Sequence, residues 1–213
     1  MKFHKDQLLL YGITDQTKDE ALLCRQVEQA LTGGATIIQL RLKNTPQKEV
    51  VRMAQKLCPI CHSHNAPLII NDDPEAAFLS GADGVHVGVE DMEVCAIREK
   101  YGADFIIGAT AKTVEQALKA KEEGADYLGV GAVFPSPTKQ NAIRITTRDL
   151  NEISRAGGLP VVAIGGINEE NANALAGAKI NGIAVVSALF SAPDITRAAG
   201  RLRETATKLL CDS

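Results

Sequence analysis

Two hydroxyls and an ammonium crowd into four residues at Ser136, Thr138 and Lys139, between and just after Pro135 and Pro137. That combination suits an anion such as phosphate: hydroxyls donate hydrogen bonds and the lysine adds charge. The loop follows a short apolar run, Tyr127 to Phe134, interrupted only by Gly129 and Gly131. Such a run fits a strand buried on both faces, with the glycines marking close approach of neighbouring groups. An ordinary strand-to-helix connection with a solvated lysine is the other reading of the same residues.

Further candidates stand at the ends of other apolar runs. Arg41 and Lys43 follow Thr36 to Leu40, and Asn71, Asp72 and Asp73 follow Leu68 to Ile70. Glu90 and Asp91 come just after Gly84 to Val87, Thr110 after Phe105 to Ile107, Gly165-Gly166 after Val161 to Ile164, and Ser187 after Ile183 to Val186. With Leu8 to Thr14 and the Tyr127 run, these make eight strands. Helical patterns separate them: Lys18 to Leu31, Thr45-Pro46 to Ser63, a short helix from Pro74, one ending near Tyr101, one opened by the Thr113-x-x-Gln116 capping box, Thr147 to Arg155, and a last helix with apolar positions at 195, 198, 199, 202, 206 and 209. Thr45 reads as a cap with Pro46 in the first turn, and Asn168 as the cap of a short helix after the seventh strand. Gly-Ala recurs before strands at 34, 81, 124 and 177. Eight alternating units with no linker predict one (β/α)₈ TIM barrel spanning residues 1–213. An open doubly wound sheet is disfavoured because no Gly-x-Gly-x-x-Gly follows the first strand.

In a barrel the strand ends meet on one rim. Arg41, Lys43 and Lys139 would repel one another without an anion between them; surface charges paired with neighbouring acids are the alternative. Asp72 and Asp91 suit a hard cation such as magnesium, although Asp91 reads equally well as a helix cap. Gly165-Gly166 and Ser187 suit a phosphate held by backbone N–H groups. His86, in Gly-Val-His-Val-Gly, reads as a packed strand residue and receives no role.

Composition narrows the partners. The 213 residues carry a net charge of -3, 45% apolar residues and only 4% aromatic, with no tryptophan. Nucleic acid is a poor match, and small phosphorylated molecules are a better one. The polar start, Met1 to Asp6, and the lack of a long apolar run predict no membrane segment and a cytoplasmic protein. Five cysteines predict free thiols. Cys58-Pro-Ile-Cys61-His62 has the look of a haem or zinc motif, but lacks a second ligand pair and reads as helix packing.

Taken in order, Gln39-Leu-Arg-Leu-Lys43, Ile70-Asn-Asp-Asp73, Ala82-Asp-Gly-Val-His-Val-Gly88 with Glu90-Asp91, Gly124 to Gly131 with Pro135 to Lys139, Ala163-Ile-Gly-Gly-Ile167 and Val185-Val-Ser-Ala188 resemble the thiamine phosphate synthase family over nearly the whole chain. The resemblance implies a transferase of thiamine biosynthesis that couples hydroxymethylpyrimidine diphosphate to a thiazole phosphate with Mg2+. By position it assigns Arg41, Lys43, Asn71 and Lys139 to the diphosphate, with Arg41 and Lys139 as the catalytic cations, and Asp72 and Asp91 to the metal. It assigns Gln39 to the pyrimidine and Thr110 and Thr138 to the pyrimidine–diphosphate junction. Gly166, Val186 and Ser187 fall to the thiazole phosphate, and Ser136 lies near the thiazole. Four features depart from the family pattern: Val89, Thr110, Ser136, and Ile145-Thr146-Thr147 in place of a glycine. A related thiazole tautomerase, and a barrel that binds phosphometabolites without catalysis, are the rival readings. The chain would also allow a homodimer.

Overall fold

A computed structural model describes residues 3–17, 19–135 and 144–211. Eight parallel strands close into a barrel in sequence order. They are β1 (Leu10–Ile13), β2 (Ile37–Leu40), β3 (Leu68–Asn71), β4 (Gly84–Val87), β5 (Ile106–Ala111), β6 (Tyr127–Gly131), β7 (Val161–Ile164) and β8 (Gly182–Val185). β8 pairs back onto β1, with Ala184 opposite Tyr11. Helices α1 (Glu20–Thr32), α2 (Gln47–Ser63), α3 (Pro74–Ser80), α4 (Val94–Tyr101), α5 (Val114–Glu122), α6 (Thr147–Gly157), α7 (Ser187–Phe190) and α8 (Ile195–Cys211) follow the strands, with short 3₁₀ segments at Lys5–Leu8 and Ala172–Leu175.

The strands are apolar on both faces because both are covered. Outward residues such as Ile38, Ile70 and Leu128 pack under the helices. Inward residues, among them Tyr11, Ile37, Ile69, Ile106, Tyr127 and Val162, fill the barrel itself. Glycine supplies the closest approach: a Cβ on Gly131 would fall 1.9 Å from the Ile164 carbonyl oxygen on the next strand.

The Gly-Ala echo has a structural cause. Gly34, Gly81, Gly124 and Gly177 all take positive φ. At the first three, the N–H of the alanine that follows reaches back five residues to a helix carbonyl: Ala35 to Ala30, Ala82 to Ala77, and Ala125 to Ala120. This ending satisfies an orphan carbonyl and turns the chain into the next strand. Asn65 at φ 56, followed by Ala66 bonded to Cys61, is the same device with asparagine in the glycine's place.

Some sequence boundaries shift. β1 is shorter than Leu8 to Thr14, because Leu8 ends a 3₁₀ turn. Pro46 lies at the cap of α2 rather than inside it, and Thr45 does not cap: its hydroxyl turns back to the Lys43 carbonyl. β5 runs on through Thr110 to Ala111, so Gly108 to Thr110 belong to the strand. Asp73 caps α3, accepting from Ala76 N at 2.8 Å. Thr113 caps α5, but the Gln116 side chain reaches Lys112 N rather than Thr113 N. Asn168 accepts from Glu170 N and Asn171 N, shaping the turn ahead of the 3₁₀ segment. Ser187 opens the one-turn helix α7, which the apolar pattern did not reveal. Among the described residues no helix is long and apolar enough to cross a membrane.

Candidate active site

The carboxyl ends of the strands bring those predicted residues that lie among the described residues to one rim. Thr14, fully buried after β1, accepts from Arg41 N at 3.0 Å and donates its own N–H to the Gln39 carbonyl at 2.9 Å. The β2 exit that carries Arg41 and Lys43 is thereby fixed. Neither cation forms an ion pair among the described residues.

Asn71 ends β3, and the next residue holds an unusual backbone. Asp72 has φ 65, a left-handed conformation that aspartate tolerates better than most residues. Its N–H is anchored to the His86 carbonyl at 2.9 Å. From there its carboxyl lies within hydrogen-bonding reach of Asp91, with Lys43 and Asn71 close enough to act on it. Burial and then the Asp91 carboxyl push Asp72 above the usual carboxylate range, while Lys43 and Asn71 pull it down. Asp91 does not cap α4. Its Oδ2 takes the Gly88 N–H at 2.6 Å, which pins the turn after β4 and leaves the carboxyl at the rim.

Two carboxylates crowded together disfavour double ionisation unless positive charge compensates them. No cluster of three or more His, Cys, Asp or Glu able to hold a metal occurs among the described residues. The pair fits a small hard cation that takes one or two carboxylates, keeps waters and completes its shell with phosphate oxygens.

Across the rim, Gly165 and Gly166 both take positive φ, at 106° and 64°. The Gly166 carbonyl is held by Asn171 Nδ2 at 2.8 Å. A Cβ on Gly166 would lie 2.2 Å from the Pro135 carbonyl oxygen, so glycine is required for the β6 and β7 loops to lie side by side. Val186 is half-buried and Ser187 exposed at the start of α7. Ser136, Thr138 and Lys139 lie outside the described residues.

Composition and spacing did not identify a polar chain inside the barrel. Gln39, 3% exposed, donates through Nε2 to the Tyr11 hydroxyl at 2.8 Å. The Tyr11 and Tyr127 hydroxyls are 2.8 Å apart, and His86 Nδ1 is 3.2 Å from Tyr127. His86 Nε2 is 3.1 Å from Thr110 Oγ1. His86 is packed, as its sequence context suggested, but it is also bonded at both ring nitrogens. The available signal was Tyr11 and Tyr127 in fully buried strands, where a phenol needs a polar partner.

The Cys58–Cys61 motif behaves as packing. Both thiols are buried in α2, and Cys58 Sγ meets the Ser80 carbonyl. His62 and His64 pair with Asp83 and Glu28 rather than with the cysteines.

A closed parallel barrel with cations, paired carboxylates and a glycine-lined loop on its carboxyl rim has the architecture of a barrel enzyme, whose active site lies at that rim. A family model described as thiamine monophosphate synthase matches residues 10–189. The chain is 42% identical over 194 residues to a thiamine-phosphate synthase of Clostridium tetani, covering 91% of this chain and 93% of that one. It is 44% identical over 196 residues to one from Ruminiclostridium cellulolyticum, covering 92% and 93%. A thiamine phosphate pyrophosphorylase structure from Pyrococcus furiosus superposes with a TM-score of 0.87 at 37% identity, covering 97% of this chain and 98% of that one. This chain belongs to the thiamine monophosphate synthase family, and with it to the transferases of thiamine biosynthesis.

Proposed function

We propose that this protein joins hydroxymethylpyrimidine diphosphate to thiazole phosphate, releasing diphosphate and forming thiamine phosphate in the cytoplasm. The observation that carries this reading is the meeting of Lys43, Asn71, Asp72 and Asp91 at one edge of the rim, where Asp72 responds to all three neighbours. A leaving diphosphate requires such a place, because its charge grows as the carbon–oxygen bond breaks. Arg41 and Lys43 face that charge, Arg41 with a fork able to take two oxygens. Asn71 donates an amide N–H to the same group. Lys139 supplies the third cation by its position in the matching sequence.

Asp72 and Asp91 would hold Mg2+, which when bound neutralises the departing diphosphate. Gln39 holds the pyrimidine, and Thr110 and Thr138 stand at the pyrimidine–diphosphate junction, by the bond that breaks. Gly166, Val186 and Ser187 hold the thiazole phosphate, with Ser136 beside the thiazole ring. The thiazole nitrogen carries a free lone pair, so no general base is needed, and holding both rings in one cleft supplies much of the remaining acceleration.

Mixing both phosphorylated halves with the protein and Mg2+ tests the reading. Thiamine phosphate and diphosphate should appear in equal amounts. A tautomerase yields neither product, and a binding barrel shows affinity without turnover.

A further inference from the structure

Each even strand of the barrel is entered through the same clamp. Ahead of β2, Thr36 donates its N–H to the Leu10 carbonyl and accepts the Leu10 N–H at its hydroxyl oxygen, both at 2.9 Å. Asp83 does the same to Leu68 ahead of β4, Asp126 to Ile107 ahead of β6, and Asn181 to Val161 ahead of β8. The clamp fastens an odd strand to the next even one at the amino end of the barrel, the face that serves stability. In the first three, a further group of the protein occupies the clamping side chain. The Thr36 hydroxyl donates to the Gln7 carbonyl at 2.8 Å, His62 Nε2 lies 2.9 Å from Asp83 Oδ2, and Arg98 Nη2 donates to Asp126 Oδ2 at 2.8 Å.

The fourth clamp departs in two ways. Thr36, Asp83 and Asp126 directly follow a Gly-Ala pair, whereas Lys179 and Ile180 stand between Gly177-Ala178 and Asn181. The side chain also differs. The Val161 N–H can only donate, so it fixes the Asn181 amide oxygen and leaves the NH₂ group over. That NH₂ has no partner among the described residues, and no buried side-chain polar atom there is left unsatisfied, so it is open to solvent. The two extra residues are held firmly. The Lys179 N–H donates to Asn151 Oδ1 and Ser154 Oγ donates to the Lys179 carbonyl, both at 2.6 Å. The Ile180 N–H turns back to the Ala178 carbonyl at 3.0 Å.

The extra pair helps to wall a cleft of about 590 Å³ at the end of the barrel opposite the rim. Lys179, Asn181 and Lys5 line it with polar groups, and Ile180, Leu9 and Leu210 line it with aliphatic ones. The one acid among the lining residues, Asp6, has His4 Nδ1 at 3.1 Å. The size is that of a small-molecule site, and the balance of charge is positive. Because the insertion is already clamped in place, a ligand would pay little to order it. We propose that this cleft binds a small organic anion, a phosphate monoester or a carboxylate with an apolar body. Lys5, Lys179 and the Asn181 amide grip the charged head, and the aliphatic side chains cover the body. The site is separate from the coupling site, and a ligand there binds without displacing anything from the carboxyl rim.

Titration of the ¹⁵N-labelled protein with phenyl phosphate, followed by amide NMR, tests the proposal. Saturable shifts should appear at Lys179, Ile180 and the Asn181 side-chain NH₂, with a Kd on the order of 1 mM or tighter. Benzyl alcohol, which has the ring without the charge, should bind at least about tenfold more weakly. Lys179→Ala should weaken phenyl phosphate about tenfold while the coupling rate stays unchanged, since one charged hydrogen bond is lost far from the rim. Deleting Lys179 and Ile180, which restores the spacing of the other three clamps, should abolish the shifts at Asn181. Shifts confined to the rim overturn the proposal, as does equal affinity for phenyl phosphate and benzyl alcohol. Unchanged affinity in Lys179→Ala overturns it whether or not the deletion variant folds.

Discussion

Two clusters in this chain have the look of chemistry, and only one is built for it. Cys58, Cys61, His62 and His64 carry the residue types of a metal or haem motif. The protein satisfies the polar ones from within: Ser80 takes the Cys58 thiol, Asp83 takes His62, and Glu28 takes His64. At the rim the reverse holds. Asp72 adopts a left-handed backbone to set its carboxyl against Asp91, and Arg41 and Lys43 stand without an ion pair among the described residues. Residue type alone does not separate the two clusters. Whether the fold has settled its own local conflicts does, since a conflict maintained by the surrounding structure points to a ligand that resolves it.

The largest effect should come from removing the conflict. Asp72→Asn retains a residue that tolerates positive φ and deletes one of the opposed charges. Turnover should fall at least ~100-fold, read by thiamine phosphate formation. The same variant should melt higher in the absence of metal, by about 2–4 °C if relief amounts to ~1 kcal/mol. Lys139→Ala should also lower turnover by ~100-fold or more while the melting curve stays in place, on the account that it meets the leaving group. Near-normal turnover in either variant would place the chemistry elsewhere.

A pH series sharpens the contrast. The folded Asp72 carboxyl lies above its ordinary value of 3.8, so the fold binds that proton more tightly than the unfolded chain does. Its contribution to stability is full below the ordinary value and is lost as pH rises through the raised one. Mg2+ competes with the same proton, so metal affinity should increase as pH rises across that window and release a proton on binding. Calorimetry in buffers of different ionisation heat measures that release, and a pH-independent affinity would contradict the pairing.

The smallest effect should come from the cysteines. Burial pushes the Cys58 thiol up to about 11 and Cys61 further. At neutral pH iodoacetamide should modify the exposed Cys95 and Cys211 first and reach Cys58 and Cys61 only on unfolding. Cys58→Ser should leave coupling within about twofold of the unaltered protein, because the thiol packs and does not react. A large loss of activity would restore a chemical role to α2.

The sequence revealed the barrel because its alternation is strong: eight apolar runs, each closed by glycine, proline or a polar cluster. It was weaker where local signals mislead. Gly108 in β5 resembles a strand end, yet it is there because Tyr127 and His86 occupy the space its side chain would fill. Asn65 performs the turn that glycine performs elsewhere, so the echo before β3 is hidden. The rim residues were legible one at a time, since each follows its own strand. The hydrogen-bonded interior was not: Tyr11 and Tyr127 are 116 positions apart, and they meet only because the strand register turns both inward. His86 was read as packing, which is correct, but its two partners depend on that same register.

The most direct measurement is the binding of inorganic diphosphate with and without Mg2+, by calorimetry, to the unaltered protein, Asp72→Asn and Lys43→Ala. The account predicts diphosphate affinity that depends on Mg2+ in the unaltered protein, loss of the Mg2+ dependence in Asp72→Asn, and about tenfold or greater weakening in Lys43→Ala. Equal, metal-independent affinity in all three proteins would contradict it.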